Sequence, residues 1–367
     1  MKKLAIIAIT QNGISIAASI KDAYPNADLL TLKEKGLTFD TALWTANWDT
    51  LKELTKDSFS NYDGFLYIMA TGIVVRMIAP YIVAKDHDPA VVVIDEKGLF
   101  TISLLSGHLG GGNDLAKEVS TFLQNHCVIT TATDVNNKYA LDSFARDHGL
   151  KIDPITKIAA FNKAILHNKT IHIVADRGIR FDDFHPSFPV SQFCHSADKK
   201  STSMYAMVSH KLYPEEPNRI FLRPSNLILG VGCKKDFPED VFENNILDFL
   251  EKNQLSLLSI REMRSISIKK DEKAMLAFSK KYKIPYVTYR AEEINKIYDR
   301  YPNLEKSDFV YKNTGAWGVS EPVSLISENR ETIKILIKKT EISGMTATVS
   351  IEDPITIKKK SHFWLKD

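Results

Sequence analysis

Short apolar runs that end in a small-residue turn and pass straight into an amphipathic stretch recur along this chain, and that alternation restricts its fold more than any other feature. Residues 4–9 are apolar, Gln11-Asn12-Gly13 makes a turn, and residues 14–23 carry apolar side chains at helical spacing. The opening therefore reads strand, turn, helix. Residues 64–70 repeat the strand, Thr71-Gly72 the turn and residues 73–82 the helix. Residues 90–94 and 99–105 flank Asp95-Glu96-Lys97-Gly98, a hairpin signal. Leu115, Ala116, Val119, Phe122 and Leu123 then follow at helical spacing, and residues 128–131 form a further strand. This pattern predicts an α/β domain with a mainly parallel sheet and one antiparallel excursion at the hairpin.

From about Asp153 the texture changes. Residues 155–166 suit a helix and 170–174 a strand, but residues 177–200 are rich in Phe, Pro, Asp and Ser without a period. Strands at 204–209 and 219–222 surround Pro214-Glu215-Glu216-Pro217. Alternation resumes at Leu227 with strand 227–230, helix 238–252, strand 257–260, helix 271–281 and strand 286–288. At 367 residues the chain is too long for one ordinary core. The expected fold class is α/β: two three-layer α/β/α domains, 1–150 and 226–350, a smaller irregular α+β linker region, 151–225, and a tail, 351–367.

Composition excludes several classes of partner. A net charge of +3, with basic residues interspersed among acidic ones, gives no broad basic stripe, so no nucleic acid is expected. The apolar run at 4–9 is too short for a signal-peptide core, and nowhere do about 20 apolar residues follow one another to cross a bilayer. A cytoplasmic protein without membrane contact is expected. Cys127, Cys194 and Cys233 are odd in number and far apart, which offers neither a disulfide framework nor a zinc pair, and no metal site is expected.

The sharpest segment runs from Ser103 to Asp114 and includes Ser106-Gly107-His108-Leu109-Gly110-Gly111-Gly112-Asn113, ending a strand and opening a helix. Gly110, Gly111 and Gly112 let the backbone approach a ligand, and the helix start favours an anion. Ser106 and His108 add a hydroxyl and a titratable imidazole. The bland alternative is a tight turn with a helix cap. A Walker loop is excluded because the Gly-Lys-Ser/Thr ending is missing, and no G-x-G-x-x-G fingerprint is present. Ala70-Thr71-Gly72, with Arg76 one turn later, repeats the arrangement at another strand end, and Thr130-Thr131-Ala132-Thr133-Asp134 offers a third. Parallel sheets bind ligands beyond the carboxyl ends of their strands, so these turns are expected to face one crevice. Lys85-Asp86-His87-Asp88 reads as a surface loop rather than a metal cluster. In the last domain, Gly230-Val231-Gly232-Cys233-Lys234-Lys235 lies between a strand and a helix, and Lys269 precedes another helix. Cys233 would be a nucleophile only with its thiolate stabilised, for which neighbouring lysines are suited.

Gly72-Ile73-Val74-Val75-Arg76 with Ile78-Ala79-Pro80, Lys85 with Asp88-Pro89-Ala90, residues 104–113 and residues 129–134 together resemble, in order and spacing, the core of the cobalt-precorrin-5A hydrolase family. Gly230 to Lys235, residues 269–272 and Gly318-Val319-Ser320-Glu321-Pro322 resemble that family's C-terminal domain. The chain departs from the family at Gly111-Gly112-Asn113, where Gly-Ala-Asn is frequent, and at Cys233-Lys234-Lys235-Asp236, where Cys-Arg-Arg-Gly is frequent. Lysine keeps the charge there but loses arginine's bidentate fork. The resemblance implies opening of the δ-lactone of cobalt-precorrin-5A and release of a two-carbon meso unit as acetaldehyde, giving cobalt-precorrin-5B, in anaerobic cobalamin biosynthesis. It implies no resident cofactor, the cobalt being carried by the corrinoid substrate, and leaves a homodimer open. Residue chemistry then suggests His108 as general base and Ser106 with the Gly110–Gly112 amides as oxyanion donors. Arg76, Lys85, Lys234 and Lys269 are expected to grip substrate carboxylates, with Thr71, Gly72, Asn113, Thr131, Asp134, Gly232 and Cys233 completing the binding surface. A non-catalytic tetrapyrrole carrier and a nucleotide-binding α/β protein are the alternatives.

Overall fold

The computed structural model describes residues 3–32, 44–46, 48–182, 186–192, 203–327, 333–359 and 364. The chain divides into two compact units, Met1–Asp147 with Ile158–Lys169 and Lys360–Asp367, and His148–Lys157 with Thr170–Lys359.

In the first unit, strands β1 (Leu4–Ala8), β2 (Asp28–Leu32), β3 (Trp44–Ala46), β4 (Gly64–Ile68), β5 (Ala90–Ile94), β6 (Phe100–Leu105) and β7 (His126–Val128) form one sheet in the order β3-β2-β1-β4-β5-β6-β7. All neighbours are parallel except β5 and β6, which are the two arms of the predicted hairpin. Helices α1 (Gln11–Ala23), α2 (Trp48–Ser58), α3 (Thr71–Ile78), α4 (Gly112–Leu123), α5 (Ala132–Val135), α6 (Leu141–Asp147) and α7 (Ile158–Leu166) follow the strands. Strands β1, β4 and β5 at its centre are buried on both faces, as a sheet covered by helices requires. Ile6, Leu66 and Val92 pack against Ile14, Ala17 and Ile20 of α1 and Leu115, Ala116 and Val119 of α4. Ile7, Phe65, Tyr67 and Val93 pack on the other face against Leu51 of α2 and Val74, Met77 and Ile78 of α3. This is the expected three-layer arrangement. Trp364 joins the first of these clusters. Its indole Nε1 donates to the carbonyl of Gly111 at 3.2 Å, and it covers Gly64 so closely that a Cβ there would sit 2.5 Å from the ring.

The antiparallel step decides where the loops go. Leu105, at the carboxyl end of β6, pairs with Val91 near the start of β5, whereas Thr71 follows the carboxyl end of β4, where Ile68 pairs with Ile94. The glycine loop and the Thr71-Gly72 turn therefore lie at opposite ends of the sheet. The single crevice expected of them is not formed. Because β7 runs parallel to β6, Thr131 to Asp134 do emerge at the glycine-loop end.

The second unit is more regular than its sequence texture predicts. Strands β8 (Lys151–Asp153), β9 (His172–Ala175), β11 (Val190–Gln192), β12 (Tyr205–Val208) and β13 (Arg219–Arg223) form a five-stranded sheet, order β11-β9-β12-β13-β8, in which only β8 is antiparallel. Strand β10 (Ile179–Phe181) pairs with β19 (Ile355–Ile357), so residues read as tail complete a two-stranded ladder. A third sheet, β16-β15-β14-β18-β17, combines β14 (Leu227–Cys233), β15 (Ile260–Ile266), β16 (Tyr286–Tyr289), β17 (Ile333–Ile342) and β18 (Met345–Glu352). Helices α8 (Glu239–Lys252) and α9 (Lys273–Tyr282) cover Leu227, Leu229 and Val231 on one face. Helices α10 (Ala291–Tyr298), α11 (Asp308–Thr314) and α12 (Ser320–Ser324) follow, with Ile294, Ile297 and Val323 packed on the other face against Ile228 and Ile266.

Candidate active site

Strand β6 ends at Leu105, and Ser106 turns the chain with φ 53°, a left-handed conformation uncommon outside glycine. Two glycines make the turn feasible. A Cβ on Gly110 would lie 2.6 Å from that of Ser106, and Gly111 has φ 83° where it caps α4. The loop then bonds to itself. Gly111 N–H donates to the carbonyl of His108 at 3.1 Å, Gly112 N–H to that of Ser106 at 3.1 Å and Asn113 N–H to that of Gly107 at 3.0 Å. The Gly111 and Gly112 amides are thus spent, which corrects their assignment as oxyanion donors and also removes the phosphate cradle that nucleotide binding would need. Asn113 is buried and internal too, accepting from Ser103 Oγ at 2.7 Å and donating to Asp134 at 3.0 Å and Thr131 at 3.2 Å.

This folding fixes His108. Its side chain is 11% exposed and lies between two carboxylates, with Nε2 at 2.7 Å from Asp134 Oδ2 and Nδ1 at 3.1 Å from Asp142 Oδ1. Thr133 Oγ1 adds a contact to Nε2 at 3.1 Å. Asp134 comes from α5 after β7, and Asp142 from the first turn of α6. Asn162 of α7 donates to Asp142 at 3.0 Å and accepts from the amide of Leu141 at 3.0 Å. Burial disfavours the imidazolium, but the hydrogen bonds to Asp134 and Asp142, with their charges, outweigh it and hold the pKa at about 9. Both aspartates are buried against their own charge yet shift downward, chiefly through His108. At neutral pH His108 is therefore a cation with no free lone pair. It rests as an acid, not as the base expected of it.

The cleft beside it encloses about 380 Å³ and is lined by Lys85, Ser106, Gly107, His108, Thr131 and Lys163, among others. Lys85 and Lys163 are exposed and make no ion pair among the described residues. The Ser106 hydroxyl is buried and has no hydrogen-bond partner there. Two uncommitted ammonium groups, an imidazolium and a spare hydroxyl make a cleft for an anionic molecule. Asp142, Asn162 and Lys163 are absent from the sequence reading. Arg76, by contrast, is exposed at the other end of the sheet and bonds the carbonyl of Gly72 on its own helix at 2.9 Å.

In the second unit Gly232, Cys233, Lys234 and Lys269 do line one cleft, of about 710 Å³. Burial raises the Cys233 thiol to about 11 despite the charge of Lys269, so it is no thiolate nucleophile. Lys269 is tied to the buried Glu272 at 2.8 Å, and Glu272 also accepts from the amide of Phe237 at 2.9 Å. Lys234 and Lys235 are exposed without an ion pair among the described residues. Tyr298, Phe309 and Trp317 share this cleft and carried no motif to mark them.

Fold and site define an α/β protein that presents a carboxylate-held histidine and uncommitted lysines to an anionic small molecule. Family models described as Cobalamin synthesis G N-terminal, Cobalamin biosynthesis central region and Cobalamin synthesis G C-terminus match residues 53–134, 139–224 and 227–351. A cobalt-precorrin-5A hydrolase of Priestia megaterium is 33% identical over 360 residues, covering 95% of this chain and 94% of that one. The chain belongs to the cobalt-precorrin-5A hydrolase family. A cobalt-precorrin-5A hydrolase of Salmonella typhimurium is 28% identical, with 95% and 98% of the two chains covered. A solved cobalamin biosynthesis protein G homolog from Sulfolobus solfataricus aligns over 96% of this chain and 97% of that one at 23% identity and TM-score 0.37. Among the described residues no helix is long and apolar enough to cross a membrane.

Proposed function

We propose that this enzyme opens the δ-lactone of cobalt-precorrin-5A and releases the two-carbon unit as acetaldehyde, giving cobalt-precorrin-5B, with His108 as the group that moves the proton. The observation that carries the residue assignment is His108 held between Asp134 and Asp142 at 2.7 and 3.1 Å. In the first step water adds to the lactone carbonyl, the bond from that carbon to the ring oxygen breaks, the imidazolium gives its proton to the departing oxygen, and the water's proton passes to solvent as the carboxylate forms. Ser106 Oγ, without another partner, donates to the carbonyl oxygen as charge builds on it. His108 is then neutral and its lone pair can take the proton of the new hydroxyl. Loss of that proton forms the aldehyde C=O, breaks the carbon–carbon bond and leaves the electron pair on the macrocycle, which is protonated in turn. One histidine thus serves as acid and then as base. Lys85 and Lys163 pair with substrate carboxylates, and the cobalt enters with the substrate.

Anaerobic incubation with cobalt-precorrin-5A, trapping volatile aldehyde and following the corrinoid's mass, tests this. Acetaldehyde from the wild type and at least about a hundredfold less from His108→Gln is the expected result. Undiminished release from the variant removes His108 from the mechanism, and no release from a folded, substrate-binding wild type leaves a carrier.

A further inference from the structure

The cleft of the second unit has features that lactone chemistry at His108 does not use. It opens where β14 ends in Gly232 and Cys233 and the chain continues into Lys234 and Lys235. Its 710 Å³ lies within the range of about 300–1,000 Å³ typical of ligand sites. Ile268 is 62% exposed and Phe309 77% exposed, and both line it together with Trp317. Trp317 is stiffened by stacking on Tyr311, with centroids 4.1 Å apart and planes at 20°. A single exposed apolar side chain is ordinary, but three converging on one cleft form a surface that water solvates poorly.

The polar groups of the cleft complement that apolar surface. Glu305 is paired with Lys339 at 2.9 Å, and Glu321 accepts from the amide of Lys339 at 2.9 Å. That leaves Glu341 as the one lining acid without a partner among the described residues, against the two uncommitted lysines 234 and 235. Ser320 is 1% exposed, lines the cleft, and its Oγ has no hydrogen-bond partner among the described residues. A buried hydroxyl left unbonded is destabilising, and a ligand group reaching it removes that cost. Exposed flat apolar surface, free ammonium groups and an unbonded hydroxyl are together the complement of a flat conjugated ring with carboxylates around its rim.

We infer that this cleft is a docking site of its own for the corrinoid macrocycle, with Phe309 and Trp317 against the ring face and Lys234 and Lys235 on peripheral carboxylates. The inference rests on the corrinoid substrate proposed above and adds the residues that hold the ring. Cobyrinic acid, a cobalt corrin with free carboxylates and no lactone, separates binding from turnover in the full-length chain. Calorimetric titration should give saturable binding that Phe309→Ala weakens at least about tenfold, the effect of burying one such side chain. Trp317→Phe should bind while losing most of the ligand-induced fluorescence quenching. Lys234→Ala with Lys235→Ala should bind more weakly and with a shallower salt dependence, and Arg76→Ala, outside both clefts, should bind like the wild type. Phe309 is a surface side chain, and an unchanged melting temperature verifies that its removal leaves the fold intact. Wild-type affinity in both the Phe309 and the double-lysine variants overturns the docking site, as does absence of binding to the wild type. Binding that follows the expected pattern without any acetaldehyde from cobalt-precorrin-5A sinks the hydrolase chemistry and leaves the docking site standing.

Discussion

The two clefts differ in how their polar groups are satisfied. Both keep two unpaired lysines and an unbonded buried serine hydroxyl among the described residues, but at His108 the titratable core is closed: both imidazole nitrogens meet carboxylates, Asp134 also takes bonds from Asn113 and Lys117, and Asp142 takes one from Asn162. In the second unit the lysines and the unbonded Ser320 Oγ stand beside bare apolar side chains, Phe309 and Ile268, instead. A closed network keeps a proton at a fixed place and energy, which suits chemistry, whereas an open surface adapts to a large ligand. Proton transfer proposed at the first cleft and docking of the ring proposed at the second both build on that contrast.

Asp142→Ala should break the comparison most severely. It takes one of two carboxylates from a buried imidazolium that keeps Asp134, so turnover should fall about 10²–10⁴-fold and stability by about 1–3 kcal/mol, read as aldehyde release and as a denaturant midpoint. A variant that still turns over normally would show that Asp142 only packs. His108→Gln keeps the size of the side chain and some of its hydrogen bonds, and should lose about a hundredfold in kcat.

The pH profile sharpens the same point. A histidine whose folded pKa is raised to about 9 is protonated throughout the neutral range. Wild-type kcat should decline as pH rises through about 9, and this basic limb should vanish in His108→Gln. The stability gained from the His108 pair is complete below the unfolded value of about 6.5 and fades through about 9. A profile flat to pH 10 would remove the acid role. Lys85→Ala with Lys163→Ala should raise KM by about fivefold to tenfold with kcat nearly unchanged, as expected of partly exposed charge pairs. Arg76→Ala, at the far end of the first sheet, should change neither constant by more than about twofold, the usual reach of an isolated surface substitution.

Much of this architecture was legible. Alternation gave the two layered α/β sheets, and Asp95-Glu96-Lys97-Gly98 gave the hairpin that the structure contains. The same hairpin held the information that corrects the site. A strand returning antiparallel must deliver its loop to the opposite end of the sheet, so Thr71-Gly72 and the glycine loop had to part. Asp142 was not legible, because its role depends on α6 and on Asn162 of α7, which folds with the first unit although it follows β8 in sequence. Strands of three residues, such as β8, β10 and β11, are too short to display a period and are recognised only by their neighbours.

The bond from Trp364 to the Gly111 carbonyl gives that tryptophan a part in shaping the loop that bears His108. Proteolytic trimming that removes this indole would uncover Gly64 and release one anchor of the loop while leaving every proton-carrying side chain in place. Preparations should therefore be compared by mass for the presence of Trp364 before their turnover is compared.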